Sequence, residues 1–162
     1  MIILGIDPGT ALTGYGVVEA VKKNGTVKLK YVDHGCIETS KEMEMSLRLL
    51  KLYRDFLEKI ARYKPECVAV EQLFFGMNRK TAITVSQARG VVILASAEKK
   101  IPFYEYQGLK VKRGITGYGR SKKKEIQEKV AEILCLTEIP KPDDAADGLA
   151  MAIYHGMNGA YG

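Results

Sequence analysis

The opening stretch Ile2-Ile3-Leu4-Gly5-Ile6-Asp7-Pro8-Gly9 constrains the chain more than any other. Residues 2–6 form an unbroken apolar run closed by Pro-Gly, which predicts a strand buried on both faces of a sheet. Asp7 stands at its tip. A carboxylate is costly to bury unless it is paired or bound to a cation. Asp7 therefore either caps the Pro8-Gly9 turn by accepting backbone N–H bonds or is a metal ligand at the floor of a site. The choice depends on whether further carboxylates arrive at comparable places.

The pattern recurs. Cys67-Val68-Ala69-Val70 is a second buried strand and ends on Glu71. Between the two, residues 15–20 and 27–39 alternate as strands around an Asn24-Gly25 hairpin turn, so the chain opens with a three-stranded antiparallel meander. Thr39-Ser40-Lys41-Glu42 has capping-box spacing. An amphipathic helix is expected over residues 44–62, with Leu49, Tyr53, Phe56 and Ile60 inward, Leu50 and Leu57 beside them, and Pro65 stopping it. A loop over residues 72–80, a helix over 81–99 rich in small residues and a strand over 102–106 follow. Ser121 is placed to cap a helix over 122–136. A last helix over 143–155 opens with Asp143-Asp144-Ala145-Ala146-Asp147 and leads into a Gly-rich, frayed tail. The order β-β-β-α-β-α-β-α-α predicts an α/β fold with one five-stranded mixed sheet, its first three strands antiparallel, flanked by helices.

Two acids of the last helix lie three or four residues apart, Asp147 with Asp144 or with Asp143, and spacing alone does not choose between them. Capping and dipole compensation account for one first-turn Asp but not for Asp147 deeper in the helix. Clustered carboxylates repel one another without a cation, and an all-oxygen set selects Mg²⁺ or Mn²⁺. Such a set can hold two ions for in-line phosphoryl displacement.

Charge adds a partner. The net charge is +6, and seven basic residues, Lys110, Lys112, Arg113, Arg120, Lys122, Lys123 and Lys124, fall in a segment from Tyr106 to Lys124 without one Asp or Glu. The excess lives there, as in a phosphate-binding surface; a solvated basic loop is the plainer alternative. No apolar run reaches membrane-span length. No basic leader precedes Asp7, so no secretory signal is expected. Cys36, Cys67 and Cys135, without CxxC spacing, suggest three free thiols in a cytoplasmic protein, each a small buried hydrophobe. His34 and His155 have no partner at ligand spacing and are read as structural.

Gly5-Ile6-Asp7-Pro8-Gly9, Thr13-Gly14-Tyr15-Gly16, Glu71-Gln72 with Phe74, Gln87-Ala88-Arg89-Gly90 and Asp144-Ala145-Ala146-Asp147-Gly148-Leu149-Ala150 resemble, in order and spacing, the RuvC family of bacterial Holliday junction resolvases. The likeness runs from Ile2 to about His155. It implies an RNase H-like fold, a homodimer, and paired nicking of four-way junction DNA with divalent metal: two Mg²⁺ per subunit, Mn²⁺ substituting. By this resemblance Asp7, Glu71, Asp144 and Asp147 are the catalytic, metal-binding acids, and Lys112 and Lys123 stand near the scissile phosphate. Lys123 is the family's second lysine, though Lys122 and Lys124 compete for that role. It also implies that Phe74 stacks on unpaired bases. Asn78, Arg79 and Lys80 join the DNA-binding set with Lys110, Lys112, Arg113, Tyr118, Arg120, Lys122, Lys123 and Lys124. The helix carrying Gln87, Ala88, Gly90 and Ile93 is the expected dimer interface, and RuvA and RuvB are expected partners. Residues 1–157 are read as a single nuclease domain and 158–162 as a flexible tail. Competing readings are another RNase H-like nuclease on hybrid or branched substrates, and a non-catalytic junction-binding protein. An ATP-binding fragment of the actin and sugar-kinase type, opening with the same strand-Asp-x-Gly-Thr, is a further competing reading; such proteins need two lobes where 162 residues supply one, and they lack a basic segment like this one.

Overall fold

The computed structural model describes residues 1–73 and 79–159, Arg79 and Lys80 by their backbone alone. Phe74, Asn78, the side chains of Arg79 and Lys80, and residues 160–162 lie outside that description. In chain order the elements are β1 (Ile2–Asp7), β2 (Leu12–Lys23), β3 (Thr26–Glu38), α1 (Met45–Tyr63), β4 (Cys67–Glu71), α2 (Arg79–Glu98), β5 (Phe103–Tyr106), α3 (Gly108–Thr116), α4 (Lys123–Ile133) and α5 (Asp143–Asn158).

The five strands form one sheet in the order β3-β2-β1-β4-β5. β1 pairs antiparallel with β2, as β2 does with β3, while β4 joins β1 and β5 joins β4 in parallel. The first strand is therefore the central one, which is why it reads as continuously apolar. Its side chains alternate between two cores. Leu4 and Ile6 pack with Val68, Val70, Phe56 and Val92 under α1 and α2. Ile3 and Ala69 pack with Leu149, Ile153, Ile126 and Val130 under α3, α4 and α5. The β2–β3 hairpin turns on Asn24 and Gly25, both at positive φ (51° and 79°), as an Asn-Gly turn requires.

Four sequence expectations change. The helix α1 buries Leu52, Phe56 and Ile60, whereas Leu50 is exposed; the inward stripe is the i, i+4, i+8 row, and Leu50, two positions from it, falls on the opposite face. Thr39 does not cap that helix. Its buried hydroxyl donates to the Thr10 carbonyl and accepts from Arg48 Nε, so α1 starts at Met45. Ser121 does not cap α4 either, because its hydroxyl is bonded to Thr116 and the Tyr118 carbonyl. Half of the basic segment, expected as a Gly-broken loop, is the helix α3, with Val111 and Ile115 one turn apart and buried.

The helix α5 runs to Asn158, beyond the expected end at residue 155, because Gly156 is buried with Ile3, Ala20 and Leu29 as neighbours. It lies flat on β1 and β2. A Cβ at Gly14 would overlap the Asp144 carbonyl oxygen, and one at Gly148 would stand 2.7–2.9 Å from the Tyr15 and Gly16 backbone. Glycine at these two positions lets helix and sheet backbones touch, which places the first turns of α5 above the end of β1.

Candidate active site

Strand register fixes the first two acids. Gly5 pairs with Ala69 and Ile6 with Val70 across the parallel β1–β4 ladder. Asp7 and Glu71 are the next positions, level with each other and, by the two-residue period, on the α5 side with Gly5 and Ala69. Across the other ladder Asp7 stands opposite Gly14, over which the Asp144 backbone rests. Asp147 follows one helical turn later. Two strand ends and one helix thus supply four carboxylates to one place.

Three of the four acids are raised in pKa. Burial pushes Asp7 well above the usual carboxylate range, and the charges of Asp147, Glu71 and Asp144 push it further. Glu71 is raised by burial, with Lys112 opposing. Asp147 is pushed up to about 6 by burial, with Lys123 and Lys112 opposing and Glu71 and Asp143 adding to the rise. Burial is the larger cause in all three, and neighbouring carboxylates add to it at Asp7 and Asp147.

Asp143 and Asp144 separate structurally. Asp143 accepts a hydrogen bond from Lys123 Nζ at the start of α4, which lowers the carboxyl's pKa and raises the ammonium's. Asp144 faces the other way, acting on Asp7 and on Cys36. The triple Lys122-Lys123-Lys124 also sorts: Lys123 reaches the acids, and Lys124 pairs with Glu128 at 3.7 Å. Lys110, Arg113 and Arg120 are exposed and have no ion-pair partner among the described residues, and Tyr118 is exposed between α3 and α4.

Two features had weak or no sequence signal. Gly108 begins α3 directly against Glu71, where a Cβ would overlap Oε1, so any larger residue displaces the carboxylate from its present position. Cys36, opposite Gly14, is half-buried at the edge of the acids, and its thiol is pushed up to about 11 by burial and by Asp144, Glu38 and Asp7. Cys67 is buried as expected, but Cys135 is exposed, on a residue at φ 53° just past α4. Tyr31 meets His34 Nδ1 at 2.9 Å, and Tyr106 meets the buried His155 Nδ1 at 2.7 Å.

The donor chemistry fits a hard divalent cation: carboxylate oxygens only, each raised in pKa where a shift is resolved. As the side chains stand, no three His, Cys, Asp or Glu groups among the described residues close around a common point. On α2, Ala88 belongs to the core and is not available to a partner. The exposed stripe there is Ile83, Gln87, Gly90 and Leu94, and Arg89 pairs with Glu105 of β5. No helix among the described residues is long and apolar enough to cross a membrane.

Residues 3–155 match the family model described as crossover junction endodeoxyribonuclease RuvC. A RuvC crossover junction endodeoxyribonuclease of Caldicellulosiruptor saccharolyticus is 53% identical over 155 residues, covering 96% of this chain and 92% of its own. The solved structure of Thermus thermophilus RuvC superposes with a TM-score of 0.86 at 36% identity, covering 97% of this chain and 94% of that one. The same protein in complex with a Holliday junction substrate gives 0.85 at 33% identity, with the same coverage.

Proposed function

This chain belongs to the RuvC family of crossover junction endodeoxyribonucleases, enzymes of RNase H-like fold, and on that premise we propose that it resolves Holliday junctions in homologous recombination and DNA repair by paired symmetric nicks. The observation that carries this reading is the convergence of Asp7, Glu71, Asp144 and Asp147 from three separate elements beside the basic segment of α3 and the start of α4.

The family depends on a divalent metal. In this chain Asp7, Glu71, Asp144 and Asp147 are the residues to hold it, as two Mg²⁺ ions per subunit with Mn²⁺ as a substitute. Bound there, such ions supply an activated water and stabilise the leaving oxygen in phosphodiester hydrolysis, leaving 5′-phosphate and 3′-hydroxyl ends. Asp7 lies between Glu71 on one side and Asp144 on the other, so it is the central acid of the set that would hold the metal. Lys112 and Lys123 bring positive charge to the same acids and are placed to offset charge gathering on the scissile phosphate. Lys110, Arg113, Tyr118, Arg120, Lys122 and Lys124 hold the DNA backbone, with Phe74, Asn78, Arg79 and Lys80 completing the contact surface.

Two symmetric nicks call for two sites related by a two-fold axis. The exposed apolar stripe of α2, with Ile83 at 65% and Leu94 at 63% exposure, fits a second copy of the chain. Residues 1–157 act as one nuclease domain, in the cytoplasm, alongside the RuvA and RuvB branch-migration proteins. The test is cleavage of a labelled four-way junction beside linear duplex and an RNA–DNA hybrid. Symmetric nicks in the junction alone support the proposal. Cutting of the hybrid instead keeps the metal site and discards the substrate, and binding without cutting in either metal discards catalysis.

A further inference from the structure

Beside the four acids opens a cavity of about 460 Å³, in the size range of pockets that enclose a small organic ligand. Its floor is shared with the site, since Asp7, Glu71 and Lys112 line it. Its far wall is apolar: Leu73, Val85 and Leu109. Leu109 is 64% exposed on the first turn of α3, a hydrophobic side chain facing solvent at the rim. Metal ions and a phosphate account for the floor but not for this wall.

Gln72 and Gln107 also line the cavity. They follow Glu71 and Tyr106, which pair across β4 and β5, and the Gln72 N–H donates to the Tyr106 carbonyl at 2.8 Å. The two amides therefore leave neighbouring strand ends, about 4.8 Å apart. Gln107 occupies the N-cap position of α3 without a side-chain cap bond, and neither amide has a hydrogen-bond partner among the described residues. A carboxamide carries both donors and an acceptor, the pattern that matches a base edge. Pockets that accept an extruded base combine such groups with apolar surface against the ring.

The cavity opens directly from Asp7 and Glu71, so a base one sugar away from a phosphodiester held there is within its reach. We propose that the cavity takes one unstacked nucleobase of the cleaved strand, next to the scissile phosphate, with Leu73, Val85 and Leu109 against its ring and Gln72 and Gln107 reading its edge. The proposal rests on the nuclease reading above and goes beyond it by assigning base selectivity to residues outside the acids and the basic surface.

Four-way junctions carrying 2-aminopurine singly at each position around the nick, bound by the full chain in EDTA, test the entry of a base. Fluorescence should rise at least threefold at one position. Leu109→Trp, which fills the cavity from an exposed site, should abolish that rise with the junction saturated by protein. With Mg²⁺, junctions bearing each of the four bases at that position should be cut at different rates by wild type. Gln72→Ala/Gln107→Ala should narrow that spread at least tenfold. No bright position, a rise undiminished by Leu109→Trp, or equal cutting of all four bases by wild type overturns the proposal, as does an unchanged spread in the double variant. If wild type cuts no junction with Mg²⁺ or Mn²⁺, the nuclease reading itself fails and this inference goes with it, a result distinct from cutting without selectivity.

Discussion

Removing one charge from the acid cluster should stabilise the metal-free protein. Asp147 sits at about 6 against an ordinary 3.8, raised chiefly by burial. Each pKa unit corresponds to ~1.36 kcal/mol, so the full shift costs the folded state about 3 kcal/mol at neutral pH. Partial exposure and screening reduce this to roughly 1–2 kcal/mol. The sign follows from linkage: the folded-state pKa is raised, so the penalty is absent below pH ~4, grows between about 4 and 6, and is complete above. Asp147→Asn keeps the shape and removes the charge. In EDTA at pH 7.5 its thermal midpoint should exceed wild type by roughly 2–8 °C, taking 2–4 °C per kcal/mol for a chain of this size. The gap should close as pH falls to 4. Added Mg²⁺ should raise wild type more than the variant, since a cation that binds the folded state stabilises it by mass action. Thermal unfolding followed by circular dichroism from pH 4 to 8 measures all of this. A variant no more stable than wild type at pH 7.5, or a gap independent of pH, refutes the picture of four mutually repelling carboxylates.

Gly108→Ala displaces the Glu71 carboxylate from its position beside Asp7; single-turnover junction cleavage should fall at least tenfold while the melting temperature changes little, alanine being the better helix former. Gly14→Ala pushes α5 off the sheet at Asp144 and should cost ~1–3 kcal/mol in urea unfolding, as overpacking does. Asp143→Asn frees Lys123 from an exposed ion pair, so stability should move by less than about 1 kcal/mol, and any change in cleavage rate should vanish in a Lys123→Ala background. Tyr106→Phe removes the hydroxyl at the buried His155 Nδ1; it should lower stability by ~1–3 kcal/mol and leave the rate per folded molecule unchanged.

The acids at the strand tips were legible because a doubly buried strand ending on a carboxylate is costly without a purpose, and the chain does it twice, at Asp7 and Glu71. The mixed five-stranded sheet with its antiparallel opening followed from the meander and the crossovers, whereas the strand order came only with the structure. Which first-turn Asp faces the site was not readable from spacing, since it depends on how α4 brings Lys123 to Asp143. The helix α3 was hidden by cationic density and by Gly108, Gly114 and Gly117, which signal loop locally; Gly108 is there for Glu71 and Gly117 for a left-handed C-cap at φ 83°. Its signal was the Val111/Ile115 pair. Thr39 and Ser121 carried capping signals, but tertiary contacts took their hydroxyls first.

The most direct test of the central claim is cleavage of a labelled, mobile four-way junction by wild type and Asp7→Asn with Mg²⁺, with junction binding measured in parallel. Binding rests on phosphate contacts from the basic surface, whereas hydrolysis rests on the acids. Symmetric nicks by wild type, abolished in Asp7→Asn with junction affinity retained, is the predicted result. Cleavage surviving in Asp7→Asn, or affinity lost in step with cleavage, contradicts the assignment of Asp7 to the reacting centre.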